Sequence, residues 1–222
     1  MYRKEWFTFD GDRPVPTEIR RYAKEDFAEL IRIQQEAFPP PFPEDHLWNA
    51  EQLTNHVTLF PEGALCVEVD GVLAGSVTGL RVDTEPGGPD HTWAEMTDEG
   101  YIRNHRPGGN TLYIVDICVR PAYRRHKLGY WMLQSLYETA VALGISRVMG
   151  GGRMPGYRAQ SERMSAQEYV DNVVAGELKD PVITFLLKSG RTPVKAVAGY
   201  LEDDYDSCGY GALMEWKNPF KG

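Results

Sequence analysis

Leu112-Tyr-Ile-Val-Asp116-Ile-Cys-Val119-Arg-Pro121-Ala-Tyr-Arg124-Arg-His-Lys127-Leu-Gly129-Tyr-Trp-Met-Leu133, continuing to Gly144, decides the reading of this chain. Tyr113 to Val119 is an apolar run rich in β-branched residues, the pattern of a buried strand, and Pro121 ends it. Leu128, Met132, Leu136, Ala140 and Leu143 recur three or four apart, which gives a helix one apolar face. Gly144 stands where a helix stops. Between strand and helix lie Arg124, Arg125, His126 and Lys127. A helix N-terminus offers free backbone N–H groups and a positive dipole end, so basic side chains crowded there make an anion site suited to phosphate.

The 222 residues suit one domain with a substantial core, and the apolar and charged fractions are those of a globular protein. The net charge of −8 argues against a nucleic-acid partner, so a local basic turn points to a small anionic ligand. Cys66, Cys118 and Cys208 are odd in number and far apart; they read as thiols, without disulfides or a metal site, in a reducing cytoplasm. No export leader and no membrane-length apolar run is expected.

Working outward, residues 1–16 are aromatic and end in Pro14-Val15-Pro16; they read as an N-terminal arm, docking or disordered. Thr17 to Tyr22 reads as a strand. Lys24 to Phe38 reads as a helix, broken by Pro39-Pro40-Pro41, and a second helix runs from about Glu44 toward Phe60. Asp70-Gly71 between two apolar runs, Ala64–Val69 and Val72–Leu80, is a hairpin signal. Residues 83–110 form an insertion with a Glu85–Asp90 loop and the aromatic residues of an ordered lid. Ser146–Met149 reads as a strand ending in Gly150-Gly151-Gly152. A second insertion spans about 152–180, where Ser165 and Glu168 mark a capping box. Pro181–Lys188 reads as a helix, and Thr192–Val197 and Tyr210–Trp216 as the last strands. Hairpins followed by a strand–helix–strand crossover predict an α+β fold with a mixed central sheet flanked by helices.

Val119-Arg120-Pro121, Arg124 and Gly129 resemble the acyl-CoA motif of the GNAT (Gcn5-related N-acetyltransferase) superfamily, a Q/R-x-x-G-x-G/A turn between strand and helix; Lys127 stands where that family usually has its first glycine. The element order from Thr17 to Trp216 is similar to the GNAT topology. His91-Thr92-Trp93, Gly151–Tyr157, Glu168-Tyr169-Val170, Gly176–Pro181 and Met214–Pro219 resemble a subgroup in which this module precedes a nitrilase-type amidohydrolase; this chain then reads as a free-standing version, a single domain over residues 17–219.

The resemblance implies an N-acetyltransferase moving an acetyl group from acetyl-CoA to an amine of a small molecule or peptide. It implies cofactor contacts from Ile117, Cys118 and Val119 and from the turn Arg124, Arg125, His126, Lys127, Leu128, Gly129 and Tyr130. Asp116, the carboxylate inside the strand, is a candidate base or a structural acceptor at a bulge. Leu186 occupies the position where the family often has a tyrosine acting as general acid; Tyr157, Tyr200 or a bound water then stands as the proton donor, with packing as the alternative role of each tyrosine. Arg153 either binds an acceptor carboxylate or pairs with Glu168 or Asp171, and Trp93 is a candidate substrate contact. The acidic turn Glu202–Asp206 reads as solvated surface. Dimers are common in this fold, although no residue pattern marks an interface. The Lys127 and Leu186 departures leave a second expectation, a non-catalytic acyl-CoA sensor or docking module.

Overall fold

The computed structural model describes residues 2–85 and 89–221; the Pro86-Gly87-Gly88 portion of the expected Glu85–Asp90 loop lies outside the described residues. Eight strands form one mixed sheet: β1 (Arg3–Asp10), β2 (Arg13–Arg21), β3 (Ala64–Val69), β4 (Val72–Val82), β5 (Thr111–Val119), β6 (Arg147–Gly152), β7 (Thr192–Val197) and β8 (Gly211–Lys217). Their spatial order is β1-β2-β3-β4-β5-β6-β8-β7. Every neighbouring pair is antiparallel except β5 and β6, which are joined by the crossover helix α4 (Leu128–Ala142).

Residues 3–16 are therefore not an arm. Arg3–Asp10 pairs along its length with Arg13–Arg20, turning at Gly11. Trp6 packs against Trp131 of α4, and Lys4 pairs with Glu138. The prolines in β2 tolerate this position because Pro14 and Pro16 sit before the stretch, Thr17–Arg21, that pairs with β3.

Helices α1 (Phe27–Ala37) and α2 (Ala50–Leu59) precede β3, and α1 lies against β4 and β5. The start of α2 is later than the sequence predicts. Asn49 accepts from the Glu51 and Gln52 amides and fixes the first turn there, leaving Glu44–His46 as a single 3-10 turn. The lid of residues 83–110 contains a short helix, α3 (Trp93–Thr97), capped by Thr92. The insertion at about 152–180 contains α5 (Ala166–Ala175), with the Ser165–Glu168 capping box in place. The helix α6 (Pro181–Lys188) begins on Asp180, whose carboxylate accepts from the Val182 and Ile183 amides.

Two irregularities of the sheet create the site. The β5–β6 pairing covers Thr111–Tyr113 and Arg147–Met149 and then ends, so the two strands part beyond it. Opposite β4, Thr78 faces Asp116 but Gly79 faces Ile114, which leaves Val115 as an extra, bulged residue.

Candidate active site

The parted strands open into a cavity of about 1470 Å³ lined by Ile114–Val119, Gly150–Gly152, the turn before α4, the start of α6, and residues of α1 and the strap that follows it. Its first wall is the turn. Arg120 is the last residue before a 3-10 stretch, Pro121–His126, and Lys127 carries the chain into α4 with φ 56° and ψ 23°. Left-handed backbone is costly for a side chain with a Cβ, and glycine adopts it freely. Lys127 thus sits in a conformation that glycine would adopt without strain. The N-terminus of α4 has no side-chain cap, whereas α2, α3, α5 and α6 are capped by Asn49, Thr92, Ser165 and Asp180. Uncapped N–H groups, a positive dipole end and the exposed Lys127 all meet at the cavity mouth, with Arg124 beside them. Arg124 also donates to the Ala37 carbonyl at 3.0 Å, tying the turn to the end of α1.

The sequence brought seven of the ten expected cofactor residues to this cavity: Ile117, Cys118, Val119, Arg124, Lys127, Gly129 and Tyr130. The other three point elsewhere. The Leu128 side chain is buried in the core, because it begins the apolar stripe of α4. The imidazole of His126 lies 3.3 Å from the Thr8 hydroxyl of β1, drawn away by the hairpin. Arg125 is exposed and does not line the cavity.

Asp116 sits at the bulge. Its carboxylate accepts from Gln34 Nε2 at 2.9 Å, while Gln34 Oε1 accepts from the Trp48 amide at 2.6 Å. The Trp48 N–H fixes which end of the Gln34 amide is the donor, so the carboxylate is held as an acceptor. Burial pushes Asp116 up to about 6, against the lowering effect of the hydrogen bonds from Gln34 and Cys118. A carboxylate held near 6 takes and returns a proton within the neutral range. The carbonyl of the bulged Val115 accepts from the Trp93 indole N–H at 2.9 Å, and Trp93 itself lines the cavity.

Tyr157 does not reach the site. It is buried against Tyr169 and Tyr210, and its hydroxyl donates to the Met164 carbonyl. Tyr200 does. Its ring fills the space above Gly151, where an added Cβ would lie 2.1 Å from Tyr200 Cζ, so only glycine admits it. The Tyr200 hydroxyl accepts from the Gly151 amide at 3.0 Å and lies 2.8 Å from the Tyr113 hydroxyl, which is 3.0 Å from His91 Nε2. Burial raises both tyrosines above the usual phenol range. Arg191, itself buried, touches the Gly150 and Met214 carbonyls and borders the same cavity.

Arg153 lines the cavity but is committed: its guanidinium grips the buried Asp204 at 2.7 and 2.5 Å and stacks over Phe42. Its partner is neither Glu168 nor Asp171. The acidic turn is likewise not all solvated, since Asp204 is 2% exposed and also accepts from Ser207. Sequence reading missed Gln34 and the aromatic wall Phe38, Phe42, His46 and Trp48; the triple proline after α1, which carries these rings back across the sheet, was its available signal. No group of His, Cys, Asp or Glu that could hold a metal ion occurs among the described residues.

The model of the acetyltransferase (GNAT) family matches residues 27–161. The chain belongs to the GNAT family. It is 48% identical over 217 residues to the uncharacterized N-acetyltransferase YkwB of Bacillus subtilis, a match covering 98% of this chain and 96% of that protein. It is 37% identical over 200 residues to the probable hydrolase YhcX of the same organism, covering 90% of this chain but only 38% of that protein. That longer relative accords with the resemblance to modules joined to a hydrolase. Among solved structures, the GphF GNAT-like decarboxylase in complex with isobutyryl-CoA superposes with a TM-score of 0.75 at 23% identity, over 90% of this chain and 98% of that one, a likeness of fold. Family membership, with an N-acetyltransferase relative over nearly the full length, supports an acyl-transfer enzyme over a purely binding module.

Proposed function

We propose that this chain transfers an acetyl group from acetyl-CoA to a neutral amine of a small molecule or peptide, as a single domain over residues 17–219 extended by the β1–β2 hairpin. One observation carries the reading: the uncapped, basic N-terminus of α4 and the carboxylate of Asp116 open onto one cavity through the gap between β5 and β6. The free amides of Leu128, Gly129 and Tyr130 would hold the CoA diphosphate, with charge from Lys127 and Arg124. The unpaired edge of β5 beyond Tyr113 offers backbone groups at Ile117, Cys118 and Val119 to an amide-bearing arm.

Asp116, oriented by Gln34, takes the proton from the attacking amine. Tyr200 gives a proton to the leaving thiolate, since burial keeps its phenol protonated at neutral pH and the Gly151 amide stabilises the phenolate that follows. Tyr113 and His91 extend that hydrogen-bonded chain toward the lid and can restore the proton. Tyr200, not Tyr157, is thus the acid in this reading. The chain has no described helix long and apolar enough to cross a membrane; with Cys66, Cys118 and Cys208 all free, we place it in the cytoplasm.

Free-thiol release from acetyl-CoA in the presence of an amine panel tests the proposal. Amine-dependent release that falls at least tenfold in Asp116→Asn supports it. Calorimetric binding of CoA with no amine-dependent release would leave the binding module as the answer.

A further inference from the structure

The half of the cavity on the α1 side of the sheet has a walled character of its own. Phe38, Phe42, His46, Trp48, Trp93 and Tyr200 supply it, from the strap that follows α1, α3 and the loop after β7. The rings brace one another: Phe38 stacks on Phe42 at 4.9 Å, and His46 meets Phe42 edge-on at 6.1 Å and Trp93 at 5.5 Å. Two of their polar groups already have partners within the protein. The Trp93 indole N–H is spent on the Val115 carbonyl, and the Tyr200 hydroxyl on Gly151 and Tyr113.

The charges sort by position. Arg124, Lys127, Lys179, Lys188 and Arg191 border α4 and α6, the cofactor side. On the aromatic side the cation is Arg153, and Asp204 already holds it with two short bonds. The group left to meet an acceptor's nitrogen is Asp116, with His46 at the rim 4.0 Å from Asp203. An acceptor carboxylate or phosphate would therefore enter a wall whose arginine, among the described residues, is already paired, at the cost of its desolvation. A peptide would find ring faces in place of hydrogen-bonding partners for its backbone. A flat apolar body fits: rings pair with rings in offset or edge-on contact and add about 0.5–1.5 kcal/mol per pair beyond the area buried.

We propose that the acceptor is an arylalkylamine, a primary amine on a short chain carrying an aromatic ring and no carboxylate. This rests on the acetyl-transfer reading above and names its substrate class. The ring lies among Phe42, His46, Trp48 and Trp93, and the amine points at Asp116. The amine nitrogen attacks the thioester carbonyl, a C–N bond forms and the C–S bond breaks. The nitrogen's proton goes to Asp116, and the thiolate leaves as free CoA thiol after taking a proton. The products are an N-acetyl arylalkylamine and CoA.

The test is kcat/KM of the full chain with acetyl-CoA against 2-phenylethylamine, tryptamine, butylamine, spermidine, phenylalanine and a short peptide with a free N-terminus. The expected result is a preference of tenfold or more for the two arylalkylamines over butylamine, and little or no turnover of phenylalanine. Phe42→Leu, at a half-buried strap position, is expected to lower kcat/KM for 2-phenylethylamine about fivefold more than it lowers that for butylamine, so that the aryl preference shrinks. Spermidine, phenylalanine or the peptide as the best acceptor would overturn the substrate class and leave acetyl transfer standing, as would a Phe42→Leu variant that keeps the full aryl preference. No amine-dependent thiol release with any acceptor would overturn acetyl transfer itself, and the substrate class with it.

Discussion

The Trp93 indole N–H reaches across the lid to the carbonyl of Val115, 2.9 Å away, and satisfies the residue that the bulge in β5 leaves out of the ladder. One bond thus couples the lid to the strand position that aims Asp116. Trp93→Phe keeps a ring in the wall but leaves that carbonyl without its donor. The expected cost is about 1–3 kcal/mol in unfolding free energy by denaturant titration. A fall in kcat larger than the fall in CoA affinity is expected beside it. Unchanged stability would show that water replaces the indole at no cost.

In the proposed reaction Asp116 would link activity and stability through one proton. Burial raises its folded-state value to about 6 from the ordinary 3.8, so the folded protein holds the proton more tightly than the unfolded chain. Its contribution to stability is full below about 4 and is lost as pH rises toward and through 6. Asp116→Asn is therefore expected to stabilise the fold at pH 8 by roughly 1–3 kcal/mol and to have little effect at pH 4. The acid limb of the pH–rate profile near 6 is expected to disappear in the residual activity of the variant. Melting curves across pH 4–8 with matched kinetics check both signs.

Lys127 is expected to separate backbone strain from ligand charge. Lys127→Gly relieves a left-handed residue, so the melting temperature rises by the equivalent of about 1 kcal/mol. It also removes a cation from the mouth of the cavity. CoA affinity by calorimetry should weaken severalfold at low salt, with less difference at high salt. Equal affinities at low salt would assign diphosphate binding to the α4 amides alone.

The two tyrosines named for proton delivery give opposite expectations. Tyr200→Phe should lower kcat about 10–100-fold, because the hydroxyl between Gly151 and Tyr113 is lost while the ring remains. His91→Ala should give a smaller loss of the same kind. Tyr157→Phe should leave kcat unchanged, since its hydroxyl serves the Met164 carbonyl outside the cavity. Steady-state turnover of the three variants on one acceptor decides the assignment.

Arg153 and Asp204 form a pair with one member 2% exposed. Arg153→Met should destabilise the fold by about 3–5 kcal/mol, since it leaves a buried carboxylate without its cation. Arg153→Met with Asp204→Asn should recover much of that loss, and chemical denaturation of the single and double variants measures it.

The strand–turn–helix unit from Leu112 to Gly144 was legible in the residues because its signals are local. β-branched run, proline, basic turn and helical period all lie within a few residues of one another, and the lid, the Ser165–Glu168 capping box and the 70–71 hairpin share that property. Gln34 could not be found this way: a glutamine on α1 acquires meaning only when Trp48 and Asp116 arrive at its two ends. Tyr200 was named beside Tyr157, but choosing between them needed Gly151, which admits the Tyr200 ring from 49 residues away in the chain. Arg153 showed a charge but not the buried carboxylate that neutralises it.

By itself, then, the sequence determined the mixed α+β sheet, the basic turn at α4 and a carboxylate inside β5, because periodicity and neighbour chemistry fix them. Tertiary structure decided the rest: that β1 joins the sheet, that β5 and β6 part at Tyr113, that Tyr200 lines the gap and Tyr157 does not, and that an aromatic wall faces Asp116. Those outcomes depend on which distant side chains meet and which polar atoms are already satisfied when they do, and no local pattern records either.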